Sequence, residues 1–159
     1  MRKLTTAIAT SGLLALGLAV PASAHAAVQS QGYCAAEWSS HGRDGNVRAW
    51  SGYDCTGTLL GVTPGNDPDW SDSSGPFQGS DWNQPKSVAN NGTIGGNDVV
   101  AFYLALNYAY EHGYVCLSPY ELYADDVTDN QYTSGSVPTH ISSHRWVQSS
   151  GCAANSWLT

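Results

Sequence analysis

VRAWSGYDCTG, Val47 to Gly57, is echoed 53 residues later by VAFYLALNYAY, Val100 to Tyr110. Each copy opens on alternating apolar residues (Val47 and Ala49; Val100 and Phe102), then an aromatic ring (Trp50; Tyr103). A small loop follows, and five residues after the ring comes a second anchor (Cys55; Tyr108). Each copy also has a later Ser-rich segment: KSVAN around Ser87, and HISSHRWV around Ser142 and Ser143. Period-2 apolar alternation denotes half-buried strands, and self-similarity at a fixed lag fixes architecture before any local reading does. Two units, each with an aromatic corner and a returning serine, predict paired Greek keys: a first from about residue 33 to 91 and a second from about 98 to 152. NGTIGGN, Asn91 to Asn97, reads as a flexible linker between them.

Composition agrees with an all-β sandwich. Gly, Ser, Asn, Asp and Pro punctuate the chain every ten residues or so, while Leu, Lys and Glu are scarce, so material for helices is missing. Strands are expected over 46–50, 58–62, 86–90, 98–103, 113–117 and 140–147. GNDPDWSDSSGPFQGSD, Gly65 to Asp81, is too polar for a strand and reads as one long loop, with 124–138 as its counterpart.

The start of the chain has a different character. Arg2 and Lys3 precede an apolar stretch from Ala7 to Val20; Pro21 ends it, and Ala22-Ser23-Ala24 and Ala24-His25-Ala26 offer small-x-small cleavage patterns. This is the build of a secretory signal peptide over residues 1–26, too short and interrupted for a membrane span. The expectation is a secreted, extracellular, monomeric domain over residues 27–159. Beyond residue 26 the cations Arg43, Arg48, Lys86 and Arg145 face thirteen carboxylates. Such a surface repels phosphates, which argues against nucleic acid and anionic membranes as partners.

Cys34, Cys55, Cys116 and Cys152 are an even set in an exported chain, which reads as two disulfides. Of three possible pairings, Cys34–Cys55 with Cys116–Cys152 staples each repeat once. Each bridge would stabilise by about 3–4 kcal/mol in the chain-entropy account. No C-x-x-C spacing supports zinc instead.

With Trp50, Gly52, Tyr53, Cys55 and Gly57 in the first copy, and Tyr103, Asn107, Tyr108, GYVCL (113–117) and ISSHRWV (141–147) in the second, the chain resembles a secreted βγ-crystallin-like domain. Within that superfamily it is most similar to peptidase inhibitor family 36, the Streptomyces metalloproteinase-inhibitor type. The resemblance implies a two-Greek-key sandwich with disulfides, no catalytic residues, and an extracellular zinc metalloprotease of thermolysin type as partner. It departs from the pattern at Tyr110, where the corner usually carries a glycine that permits positive φ. The segments matching the superfamily's calcium loops are WNQPKS (82–87) and PTHISS (138–143), and they hold too few hard oxygen ligands.

An inhibitor needs a rigid, exposed segment that enters the cleft like a substrate. Two segments are candidates: Cys116-Leu117, with an apolar residue after a disulfide-bonded one, and the loop at Pro68, Asp69 and Trp70. The alternative is a non-catalytic binding module for calcium, a cell-wall glycan or a protein. Calcium would fall to Asp67, Asp69 and Asp72, whose spacing fits a solvated acidic loop better; no other cofactor is expected. Asp125, Asp126 and Asp129 form a similar acidic cluster. His140 and His144 are four apart; on a strand they would share a face about 13 Å apart, too far for one metal, and they read as surface or interface residues. The chain has no G-x-S-x-G elbow, H-E-x-x-H or phosphate-cradling glycine loop.

Overall fold

A computed structural model describes residues 32–159. The expected signal peptide, residues 1–26, lies outside the described residues. The fold is all-β with two disulfides, Cys34–Cys55 and Cys116–Cys152, the pairing that staples each repeat. In chain order the elements are α1 (Tyr33–His41), β1 (Val47–Trp50), β2 (Leu59–Thr63), β3 (Ser87–Asn90), β4 (Val99–Tyr103), β5 (Tyr114–Leu117), β6 (Tyr123–Ala124) and β7 (Ser143–Val147).

Two antiparallel sheets form, with strand orders β2-β1-β3-β6 and β5-β4-β7. In each half the first strand lies between the second and the last. The exchange between halves is the informative part. β6, from the second half, pairs with β3 through Val88–Ala124 and Ala89–Tyr123. In return, Asp67 of the first half forms an antiparallel bridge to His144 on β7.

The inward faces make one core. Val47, Ala49 and Val88 from the first sheet meet Val100, Phe102, Val115 and Leu117 from the second, with Trp70, Phe77, Tyr132 and Ile141 filling the ends. Each such aliphatic or aromatic side chain contributes about 1.5–3 kcal/mol on burial. Arg48, inside β1, is buried too; its guanidinium is answered by Asp44 and by Asn91 Oδ1 at 2.9 Å. The Arg48 guanidinium beside Asp44 holds that carboxyl down at about 2.

Helix α1 overrides the expectation that helix was missing. Its N-cap position is Gly32, which has no side chain to cap with. The free N–H groups of Tyr33 and Cys34 instead donate to the Asp54 carboxylate, at 2.9 and 3.0 Å. The Cys34–Cys55 bridge fastens the same turn to the first corner. The helix therefore rests on tertiary contacts rather than on propensity.

The repeated corners have the same geometry. Asp54 and Cys55 adopt φ of 51° and 54°, and Asn107 and Tyr108, 53 residues later, 55° and 61°. Ser87 Oγ accepts from Cys55 N at 2.9 Å and donates to the Gly52 carbonyl at 2.7 Å. Ser143 Oγ accepts from Tyr108 N at 3.1 Å and donates to the Ala105 carbonyl at 2.7 Å. Ser143, rather than Ser142, is thus the counterpart of Ser87. The second corner is remodelled: β4 ends at Tyr103 and β5 begins at Tyr114, two residues further on than in the Trp50-to-Leu59 connection. Positive φ is not needed at Tyr110, because Gly113 supplies it at 110° just before β5.

The linker is more tied down than its glycines imply. Asn90 Nδ2 donates to the Asp98 and Leu117 carbonyls at 2.8 and 3.0 Å, and Asn90 Oδ1 accepts from Gly92 N at 2.9 Å. One buried amide thereby closes both ends of the loop between β3 and β4.

Candidate functional site

The most organised polar centre lies under the long loop of the first half. Trp70 is fully buried, stacked on Phe77 with ring centroids 3.8 Å apart and edge-on to Phe102. Its indole Nε1 donates to His144 Nδ1 at 2.8 Å. Nδ1 is therefore the acceptor, the ring proton sits on Nε2, and Nε2 donates to the Gly65 carbonyl at 3.1 Å. Burial pushes the His144 pKa down to about 4, against a weaker upward pull from the Gly65 carbonyl.

This placement corrects the reading of His140 and His144 as a same-face surface pair. β7 begins only at Ser143, so His140 lies outside the strand. His144, opposite Phe102 in the register, points into the core. His140 stacks instead on Trp82, with centroids 5.1 Å apart.

Trp70 and Asp67 anchor the segment between them. Asp67 and His144 exchange two backbone hydrogen bonds of 2.9 Å, and Trp70 N donates to the Ser142 carbonyl at 2.9 Å. Asn107 N, from the second corner, donates to the Pro68 carbonyl at 2.9 Å. Asp67 Oδ1 accepts from Asp69 N at 3.0 Å. Pro68 is exposed and Asp69 half-buried on a backbone fixed on both sides. Beside them is a cavity of about 290 Å³ lined by Ser71, Trp82, Leu106 and Ser142. Leu106, and Tyr110 beyond it, are exposed on the second corner.

Three of the residues put forward for an inhibitory segment are not presented to a partner. Cys116 and Leu117 are fully buried: β5 runs through the core, and both backbone groups of Cys116 pair with the C-terminal segment at Ser156 and Leu158. Trp70 is equally inaccessible and acts as the anchor of its loop. Pro68 and Asp69 remain.

The acidic candidates are engaged within their own loop. Burial pushes the Asp67 carboxyl up, while N–H groups of Asp69 and Phe77 oppose that rise. Asp69 Oδ1 accepts from Ser71 N and Oγ. Asp72 takes Ser74 N and Oγ, and these two bonds hold its carboxyl low. The carboxylates shape turns, and among the described residues no group of three His, Cys, Asp or Glu is placed to hold a metal ion. Sequence reasoning passed over Leu106; it read Ser142 as a returning serine and Trp82 as the start of WNQPKS. The only cue was an apolar residue, Leu106, set in a corner otherwise read as packing.

No protein-family model, no curated protein and no solved structure matches the chain.

Proposed function

We propose that this protein is a secreted, monomeric, non-catalytic inhibitor of an extracellular peptidase, with the Pro68–Asp69 segment as the part that enters the cleft. One observation carries the reading. A stretch with Pro68 exposed and Asp69 half-buried is fixed by backbone bonds to His144 on one side and Ser142 on the other, by Asn107 at its carbonyl, and from below by Trp70. A segment already held in place loses little freedom on binding and resists being reshaped for cleavage. The neighbouring cavity and the exposed Leu106 supply apolar surface for the enzyme's rim.

The interleaved sheet order and the twin corners support the two-Greek-key, βγ-crystallin-like reading. The disulfides and the absence, among the described residues, of a helix able to cross a membrane fit an oxidising, exported setting. A zinc metalloprotease as target rests on the family resemblance alone.

The test is titration of thermolysin, and of subtilisin as control, with the oxidised protein. Stoichiometric loss of thermolysin activity is expected, weakened in the double variant Pro68→Gly, Asp69→Gly, which loosens the segment, lowers the melting temperature slightly and leaves the protein folded. Full activity of both enzymes in the presence of folded protein refutes the proposal.

A further inference from the structure

At the far end of β7 from the Pro68 loop is a second cavity, of about 270 Å³, lined by Gly45, Pro64, Gly92, Thr93, Asn97 and Trp146. We propose that it binds one ring of a neutral saccharide.

The floor comes from Trp146, a half-buried indole. Gly92 lies so close to its six-membered ring that a Cβ there would sit 2.6 Å from Cζ3, so only glycine lets the ring approach the loop this closely. Trp146 Nε1 is the one buried side-chain nitrogen or oxygen without a hydrogen-bond partner among the described residues. A buried donor left unpaired is rare. No side-chain hydrogen bond fixes the tilt of this ring.

The rim is polar and uncommitted. Thr93 and Asn97 are exposed, and neither side chain has a partner among the described residues. The loop that carries them is framed beforehand by the Asn90 amide, by Asp98 Oδ2 accepting from Gly95 N at 2.8 Å, and by Arg43 Nη1 donating to the Gly92 carbonyl at 3.0 Å. Ordering the rim therefore adds little to the cost of binding.

An aromatic face beside a free hydroxyl and a free amide matches the two-sided chemistry of a sugar: an apolar C–H face and a ring of hydroxyls. Charge decides between neutral and ionic ligands. Arg43 is spent on the Gly92 and Pro119 carbonyls, Arg48 on Asp44 and Asn91, and Asp98 on its own loop. No charged side chain lines the cavity among the described residues, and the acidic surface repels anions. The volume falls just below the roughly 300–1,000 Å³ of sites for drug-sized ligands, which suits a single ring of a longer glycan.

The experiment is an NMR titration of the ¹⁵N-labelled oxidised protein with chitotriose, cellotriose and xylotriose separately. The Trp146 indole signal is identified by its loss in Trp146→Phe. At least one trisaccharide is expected to shift that signal and the Asn97 amide saturably. Asn97→Ala, an exposed change that leaves the core intact, should then weaken binding about fivefold, as loss of one hydrogen bond does. No shift with any of the three sugars, shifts at other tryptophans alone, or undiminished binding in Asn97→Ala combined with Thr93→Val each overturns the proposal. None of these readouts depends on peptidase inhibition.

Discussion

Between about pH 7 and about pH 4.5, above the range where the lowered Asp44 and Asp72 carboxyls take up protons, acid should loosen this protein mainly through one residue. In the native state His144 is neutral, buried, and accepts the Trp70 indole proton on Nδ1. A second proton would have to go on that same Nδ1, setting N–H against N–H in a fully buried site. The folded pKa is held at about 4 against an ordinary 6.5. Between those values the unfolded chain binds the proton and the native one does not, so stability rises with pH through that window. The contribution is complete above the unfolded value and is lost as pH falls toward the folded one. At 1.36 kcal/mol per unit, descent from about pH 7 to about pH 4.5 removes about 2–3 kcal/mol. Asp67 works in the opposite sense, because its raised pKa favours the folded state on the acid side. His144→Gln isolates the imidazole. Urea unfolding followed by tryptophan fluorescence at several pH values should show a falling midpoint for the wild type. In His144→Gln the midpoint should start lower and stay nearly flat over the same range. Equal slopes in the two proteins would refute the account of a buried, neutral imidazole.

The serine corners give a paired prediction. Ser87→Ala and Ser143→Ala each strand one N–H and one carbonyl, so each should lower stability by about 2–3 kcal/mol in chemical denaturation, and by similar amounts, since the geometry repeats. Gly113→Ala should be destabilising by more than the usual glycine-to-alanine change: φ is 110°, and the new Cβ would lie 2.3 Å from Ser134 Oγ. Thermal melts of Gly113→Ala and Gly135→Ala should separate the steric part, because Gly135 shares the positive φ but has open space around it. Reduction of both disulfides should lower stability by about 6–8 kcal/mol in the chain-entropy account, read as the loss of a cooperative urea transition at room temperature.

Six strands, the corners and the cysteine pairing were legible because they repeat: alternation, ring, anchor and serine recur at nearly fixed lag, and each disulfide falls within one unit. What escaped was whatever depends on a distant partner. Helix α1 has no local capping residue, and its cap, Asp54, is some twenty positions away. β6 is two residues long and is a strand only because β3 is beside it. The candidate site failed in the same way. Leu117 and Trp70 have the right chemistry for a cleft, but β5 and the Phe77 stack draw them inside. Burial depends on which sheet face a side chain joins, and one position of register decides that. His144 shows this most sharply: four residues from His140, it was paired on paper with a residue that is not on the strand at all.

Because β6 completes the first sheet and Asp67 reaches across to β7, the order of synthesis matters. A chain emerging from its N-terminus can close the Cys34–Cys55 bridge and the β1–β2 hairpin early. The flank of β3 then stays bare until β6, about 35 positions later, appears, and the Pro68 loop has no strand to dock on until Ser142 and His144, more than seventy positions later, follow. Neither half is a finished object on its own. A severed first half would present an unpaired strand edge, the kind of surface that recruits other chains, whereas two separately made halves should find each other in solution and reassemble.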